Sequence, residues 1–149
     1  MTPVVPVAAV AAILFDDDNR VLLIQRGGEP GLGLWTVPGG RIEPGESAAA
    51  ACVREAREET GLEIEVVELV EVVERISQNA DGTLAYHYVI LDYLVRHTGG
   101  QVRAGSDAAK LGYFALPELA GLATTHGLAP VVERALAMKA ALATSRLPG

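Results

Sequence analysis

Residues 47–60 form an alanine-rich segment between runs that favour β-strands, and this arrangement constrains the fold more than any other feature. Pro44-Gly45 precedes the segment and Gly61 follows it, where a left-handed C-cap is wanted, so a helix is predicted over Ser47–Thr60. A second, amphipathic helix is predicted from Pro130 to about Thr144. Apolar, strand-like runs cover residues 7–15, 21–25, 34–37, 62–66, 84–95 and 110–114. This order predicts an α+β chain in which helices pack on a mixed β-sheet.

The connections between these runs carry predictions of their own. Residues 16–19, with the sequence Asp-Asp-Asp-Asn, favour a turn, so residues 7–15 and 21–25 are predicted to form a β-hairpin. The glycine-rich stretch Gly27–Gly33 predicts a loop. The strand over residues 34–37 is expected to stop at Pro38-Gly39-Gly40, and residues 98–106 are expected to form another loop.

Length and charge limit the function classes. A chain of 149 residues predicts one domain spanning residues 1–149, and 50% hydrophobic residues are enough for a sizeable core. Twelve basic and 19 acidic residues give a net charge of −7. This acidic balance argues against nucleic acid or an anionic membrane as a partner. A polyanionic substrate would therefore need a bound cation to attract it.

Cysteine content and hydropathy set the expected compartment. Cys52 is the single cysteine, which excludes an intrachain disulfide and a cysteine-based zinc site. The apolar run Val7–Phe15 is too short to cross a bilayer, and no basic residue precedes it as in a signal peptide. A cytoplasmic protein is therefore expected.

Three carboxylates share one face of the predicted helix. At about 100° per residue, Glu55, Glu58 and Glu59 lie on adjacent turns, where like charges repel. Such a face is either solvated or neutralised by a cation, and ligands that are all oxygen favour Mg²⁺, Mn²⁺ or Ca²⁺. Small residues on the same face are expected to leave room for a bulky ligand: Ala48, Ala51 and Cys52. The residues expected to meet the sheet are Ala49, Val53, Ala56 and Thr60.

These residues belong to a longer pattern. The spacing Gly40-x5-Glu46-x7-Arg54-Glu55-Ala56-x-Glu58-Glu59-x-Gly61-Leu62 resembles the complete signature of the Nudix hydrolase family. Every specified position of the signature is filled. The resemblance implies the Nudix fold, a mixed β-sheet sandwiched between helices in an α/β/α arrangement. It also implies hydrolysis of a phosphoanhydride in a nucleoside diphosphate that is linked to another group.

The resemblance assigns roles to the signature residues. It implies that a divalent metal ion, Mg²⁺ with Mn²⁺ as a substitute, is held by Gly39, Glu55, Glu58 and Glu59. The implied catalytic set is Glu58, Glu55, Arg54 and Glu46. Either Glu55 or Glu58 would take the proton of the attacking water, and Arg54 and Glu46 would brace the loop against the helix.

Other candidate residues lie outside the helix. Asp107 resembles a loop acid that some family members use as a metal ligand or base, and a turn-forming role after Gly105 is the alternative. Arg26 is a candidate phosphate ligand or a surface arginine, and Gly40 is a candidate for close approach to substrate. Tyr86 and Tyr88 are predicted to share one face of a strand. This face is a candidate contact for a base or ribose, and packing within the sheet is the alternative.

The expected partner is a small nucleotide. The segments Tyr86–Ile90 and Gly105–Ala108 resemble compact family members that act as ADP-ribose pyrophosphatases, which implies AMP and ribose 5-phosphate as products. A mutator-type enzyme that clears damaged (d)NTPs is one alternative, and a non-catalytic nucleotide-sensing module is another. The region around Met138 is interpreted as core or as the surface of a homodimer.

Overall fold

The computed structural model describes residues 4–29, 31–103 and 108–145. The strands in this part of the chain are β1 (Val7–Ile13), β2 (Val21–Arg26), β3 (Trp35–Thr36), β4 (Gly39–Arg41), β5 (Leu62–Gln78), β6 (Leu84–Gly100) and β7 (Ala108–Phe114). The helices are α1 (Ala48–Thr60) and α2 (Leu128–Ser145), with a short 3₁₀ helix at Leu116–Gly121. Neither α-helix has the length and apolar character needed to cross a membrane.

The strands form two sheets. The larger sheet has the order β4-β1-β6-β5, in which β1 runs parallel to β6 and antiparallel to β4, so the predicted mixed sheet is confirmed. Strands β5 and β6 form a long antiparallel hairpin. The smaller sheet has the order β3-β2-β7 and is antiparallel.

The predicted hairpin between the first two strands is wrong. Strands β1 and β2 are joined by a tight turn, but they pair only next to it, at Phe15–Val21 and through the Leu22 N–H to the Leu14 carbonyl. Beyond the turn they separate into different sheets. The reason is the burial of β1. From Ala9 onward its side chains are buried on both faces of the sheet. A strand with two buried faces suits the interior of a mixed sheet between helices.

Two apolar clusters hold the layers together. One cluster joins α1 to one face of the larger sheet and includes Val10, Leu22, Cys52, Leu62 and Val95. The other joins α2 to the opposite side and includes Ile13, Leu23, Leu94, Val131 and Val132, with Met138 packed against it. Helices therefore lie on both sides of the sheets, which confirms the predicted α/β/α sandwich.

Helix α1 begins and ends as the sequence predicts. The Ser47 hydroxyl accepts a hydrogen bond from the Ala50 N–H at 3.1 Å, and Gly61 ends the helix with a φ of 77°. The predicted orientation of the helix is partly wrong, because Ala51 and Cys52 are buried in the core and Ala49 is exposed. The buried stripe continues through Ala56 and Thr60, so small residues let α1 approach the sheet instead of making room for a ligand.

Asp92 on β6 is a buried carboxyl group, with 6% of the residue exposed. Burial, and to a smaller extent the charge of the nearby Glu71, raise its pKa from 3.8 to about 6, against the opposing effect of Arg75. Glu71 in turn accepts a hydrogen bond from Arg134 of α2 at 2.9 Å, and Arg75 donates to the His126 carbonyl. Two charged residues of β5, Glu71 and Arg75, therefore act on a carboxyl that the folded state prefers to keep protonated.

This preference predicts that Asp92→Asn stabilises the protein at neutral pH. A carboxyl whose pKa is higher in the folded than in the unfolded chain destabilises the fold above pH 6, and this cost disappears as the pH falls toward 3.8. The variant should raise the free energy of unfolding by up to about 3 kcal/mol at pH 7.5. Urea titrations at pH 7.5 and pH 4 measure the difference in free energy of unfolding between the variant and the wild type. This difference should disappear at the lower pH. A variant less stable than the wild type at pH 7.5 would refute this account of Asp92.

Candidate active site

Arg54 fixes the loop that precedes α1 to the helix. Its Nε and Nη2 atoms donate to the two carboxylate oxygens of Glu46 at 2.8 and 2.9 Å. Glu46 also accepts the Glu43 N–H at 3.1 Å. The Arg54 guanidinium and then the Glu43 N–H lower the pKa of Glu46 to about 2. This bidentate pair holds the loop in place, as the sequence predicts for a bracing pair.

Arg54 also reaches two of the three glutamates that are candidate metal ligands. Its Nη1 atom lies 2.9 Å from Glu55 Oε1 and 3.3 Å from Glu58 Oε2. Its Nη2 atom donates to the Arg41 carbonyl at 3.0 Å. One guanidinium therefore connects β4, the loop and the acidic face of α1, and its pKa is raised mainly by the hydrogen bond to Glu46.

Glu55 and Glu59 lie against consecutive glycines of β4. A Cβ atom on Gly40 would come within 2.4 Å of the Glu55 carboxylate, so a larger residue here would displace that carboxylate from its present position. The Gly39 N–H donates to Glu59 Oε1 at 2.7 Å. The Glu55 side chain is 16% exposed, and burial raises its pKa against the opposing effect of Arg54. Glu58 differs, since its side chain is 58% exposed.

The donor set suits a hard divalent cation, because it consists of carboxylate oxygens on adjacent turns beside a glycine backbone. Within the described part of the chain, however, no group of three His, Cys, Asp or Glu side chains converges on one point. The contacts explain this: Gly39 engages Glu59, and Arg54 engages Glu55 and Glu58. Asp107 lies outside the described residues.

The remaining candidate substrate ligands lie elsewhere in the fold. Arg26 is at the end of β2 in the smaller sheet, where its side chain runs past the Cα atom of Gly31 in the glycine-rich loop. Tyr86 is at the start of β6, with its ring 5.5 Å from the ring of Tyr88. Both stay predictions as substrate ligands. Gly40, the third candidate, accommodates the Glu55 carboxylate.

Sequence reasoning missed Arg41. Its carbonyl accepts from Arg54, while its side chain donates from Nη2 to the Tyr88 hydroxyl at 3.1 Å. One sequence feature could have indicated Arg41: it directly follows Gly39-Gly40, at a position where the signature accepts any residue. The partner, Tyr88, is 47 residues away in the chain, so only the strand register brings the two together.

Comparison with known proteins places this geometry in a family. A family model described as the NUDIX domain matches residues 5–135. The chain therefore belongs to the Nudix hydrolases, enzymes that act on phosphoanhydrides in small nucleotide substrates and generally use a divalent metal ion.

Individual relatives are named for different activities. A protein of Methanocaldococcus jannaschii named ADP-ribose pyrophosphatase is 36% identical over 121 residues, which cover 81% of this chain and 69% of that protein. An 8-oxo-dGDP phosphatase of Mus musculus is 37% identical over 99 residues, or 66% of this chain, but the chain spans only 28% of its length. A MutT Nudix hydrolase structure from Burkholderia pseudomallei shares 31% identity and a TM-score of 0.74, covering 87% of this chain and 98% of that one.

Proposed function

We propose that this protein is a divalent-metal-dependent pyrophosphohydrolase that cleaves ADP-ribose to AMP and ribose 5-phosphate. One observation carries the proposal: adjacent turns of α1 present Glu55, Glu58 and Glu59 beside the glycines of β4, on a helix that Arg54 ties to its preceding loop. In a chain of net charge −7, such a cluster repels a diphosphate unless a cation is present.

Glu55, Glu58 and Glu59 would hold Mg²⁺, with Mn²⁺ as a substitute, and the Gly39 carbonyl is proposed as a further ligand. When bound, the cation neutralises charge on the phosphoanhydride oxygens and makes a bound water more acidic. Asp107 is proposed as an additional ligand or base. The remaining contribution of the protein side chains is to position the reacting groups, because phosphoryl transfer needs orientation and charge neutralisation more than covalent chemistry.

Two groups of residues have separate roles in this proposal. Either Glu55 or Glu58 accepts the proton of the attacking water, since both carboxylates lie on the acidic face. Glu46 and Arg54 are positioning residues. Before a cation binds, the Gly39 N–H contacts Glu59, and Arg54 contacts Glu55 and Glu58. Binding of the cation would therefore draw these carboxylates from their present partners toward one point. Arg26 is proposed as a phosphate ligand at the edge of the glycine-rich loop.

The choice of ADP-ribose is supported by the extent of the matched relatives. The relative named ADP-ribose pyrophosphatase is matched over more of this chain, and over more of its own length, than the mouse 8-oxo-dGDP phosphatase. The similarity to the 8-oxo-dGDP phosphatase supports one alternative, a pyrophosphohydrolase that clears damaged nucleotides. A module that senses a nucleotide without cleaving it is disfavoured, because every glutamate of the signature is present.

With Mg²⁺ present, we expect kcat/KM for ADP-ribose to exceed that for any nucleoside triphosphate. Chromatography of the reaction should show AMP and ribose 5-phosphate in equal amounts, because a single phosphoanhydride is cleaved. Release of inorganic pyrophosphate from a triphosphate, such as 8-oxo-dGTP, at a tenfold higher kcat/KM would instead assign the chain to the nucleotide-clearing group. The roles of the glutamates would be the same in both reactions.

A further inference from the structure

We propose that Arg41, Tyr86 and Tyr88 form a subsite that stacks the nucleobase of the bound nucleotide and contacts its phosphate. The inference rests on the proposed function for the identity of the substrate, and it assigns the nucleoside end of that substrate to one place in the fold. The same three side chains would then determine how strongly the enzyme depends on the base.

The aromatic part of the subsite is built by β6. Tyr86 and Tyr88 are two residues apart on the strand, so both project from the same face of the larger sheet. Their ring centroids are 5.5 Å apart and the ring planes are tilted by 44°. Both residues are only half-buried, so part of their aromatic surface is open to a ligand. Tyrosine contributes a large flat contact area and is well suited to stacking on a base.

The cationic part is supplied by Arg41. Its guanidinium lies 5.7 Å from the centroid of the Tyr88 ring and donates to the Tyr88 hydroxyl at 3.1 Å. Among the described residues Arg41 takes part in no ion pair. Its side chain is exposed, which leaves N–H groups available to an anion. A flat aromatic surface beside an arginine without a carboxylate partner matches a ligand that has both a base and a phosphate.

The strand register sets the distance between the subsite and Gly39, the residue of β4 that contacts Glu59 of α1. Arg41 pairs with Ala9, and Gly39 pairs with Ala11. On the other side of β1, Tyr88 pairs with Val7, four residues before Ala11. At roughly 3.3 Å per residue, the position of Tyr88 therefore lies about 13 Å along the sheet from the position of Gly39. A nucleotide extended along β4 can span this distance, with its phosphates near Gly39 and its base near Tyr88.

A cavity is present at this point. It has a volume of about 250 Å³ and is lined by Arg41, Tyr86 and Tyr88 together with Val5 and Val7. The valines add apolar lining beside the rings, since Val7 is the neighbour of Tyr88 across the sheet, and the volume is enough for a purine base. Arg41 joins the cavity to the catalytic region directly, because its carbonyl accepts the hydrogen bond from Arg54.

The test measures AMP binding by isothermal titration calorimetry in buffer that contains Mg²⁺, with ribose 5-phosphate as the ligand that lacks a base. Tyr86→Leu and Arg41→Gln should each weaken AMP binding by about tenfold, since one stacked base or one phosphate contact is lost. Tyr86→Phe should retain AMP binding, because it keeps the ring. Tyr86→Leu should leave binding of ribose 5-phosphate within about twofold. Arg96→Gln, a charge-matched change farther along β6, should behave as the wild type.

Two outcomes would overturn the inference. The first is AMP affinity that stays within twofold of the wild type in both Tyr86→Leu and Arg41→Gln. The second is a loss of ribose 5-phosphate binding that equals the loss of AMP binding in Tyr86→Leu. Arg41 is exposed, so its variant tests the inference even where the tyrosine variant does not fold. Because the readout is binding of AMP and not hydrolysis, failure of ADP-ribose turnover is a separate result that concerns only the proposed function.

Discussion

Replacing Glu58 or Glu59 by glutamine is expected to lower kcat by a factor of about 10² or more while the chain remains folded. Each change keeps the shape of the side chain and removes a negative charge and one hard oxygen donor. Glu58 is largely exposed and has only a 3.3 Å contact to Arg54, so its loss should not affect packing. Glutamine at position 59 can still accept the Gly39 N–H. Steady-state kinetics with ADP-ribose, together with thermal unfolding, separates the chemical effect from a folding defect.

Two further variants serve as comparisons for these changes. Glu46→Gln weakens the pair with Arg54 without removing a proposed metal ligand, so its effect on kcat should be smaller, about tenfold. Glu65→Gln removes the same charge from the exposed surface of β5, where Glu65 pairs with Arg96, and should leave kcat unchanged. A loss of activity in Glu46→Gln as large as that in Glu58→Gln and Glu59→Gln would refute this division of roles.

Chelation should abolish turnover, and Mg²⁺ or Mn²⁺ should restore it. Without a cation, the carboxylates of Glu55, Glu58 and Glu59 repel the phosphates of the substrate. The fold itself should survive EDTA, since α1 is held by its Ser47 cap, by Gly61 and by the Arg54–Glu46 pair. Activity assays and circular dichroism in the same buffer measure the two effects. Full turnover in excess EDTA would contradict a metal-dependent mechanism.

The sequence predicts α1 and its chemistry well because these features are local. The start and end of the helix depend on Ser47 and Gly61, which act within one turn of the chain. The shared direction of the glutamates follows from helix geometry alone. The bracing pair of Arg54 and Glu46 is eight residues apart, close enough for the signature spacing to indicate it.

Features that depend on strand register could not be predicted in the same way. The run of β1 is equally compatible with a hairpin and with the interior of a mixed sheet, and its partners, β4 and β6, are selected by tertiary packing. Pro38-Gly39-Gly40 is predicted to stop a strand, but residues Gly39–Arg41 form β4 by pairing with β1. Residues 98–100 were expected in a loop, yet Gly99 and Gly100 pair with the start of β5. Glycine predicts a turn only where no neighbouring strand is available.

The orientation of α1 shows the limit of reasoning from residue size. Alanine and cysteine beside the glutamates were interpreted as space for a ligand, whereas the structure uses Ala51 and Cys52 as core. Burial raises the pKa of the Cys52 thiol to about 12, which fits a packing role. The consequence for function is that the carboxylates of the acidic face differ in exposure, with Glu55 largely covered and Glu58 open to solvent.

Titration of the metal-free chain with Mn²⁺, followed by the electron paramagnetic resonance signal of the free ion, tests most directly whether the carboxylates of α1 hold a divalent cation. The wild type and Glu65→Gln should bind Mn²⁺ saturably and with equal affinity. Glu58→Gln and Glu59→Gln should each bind it at least about tenfold more weakly. Equal Mn²⁺ affinity in all four proteins, or no saturable binding by the wild type, would contradict the account.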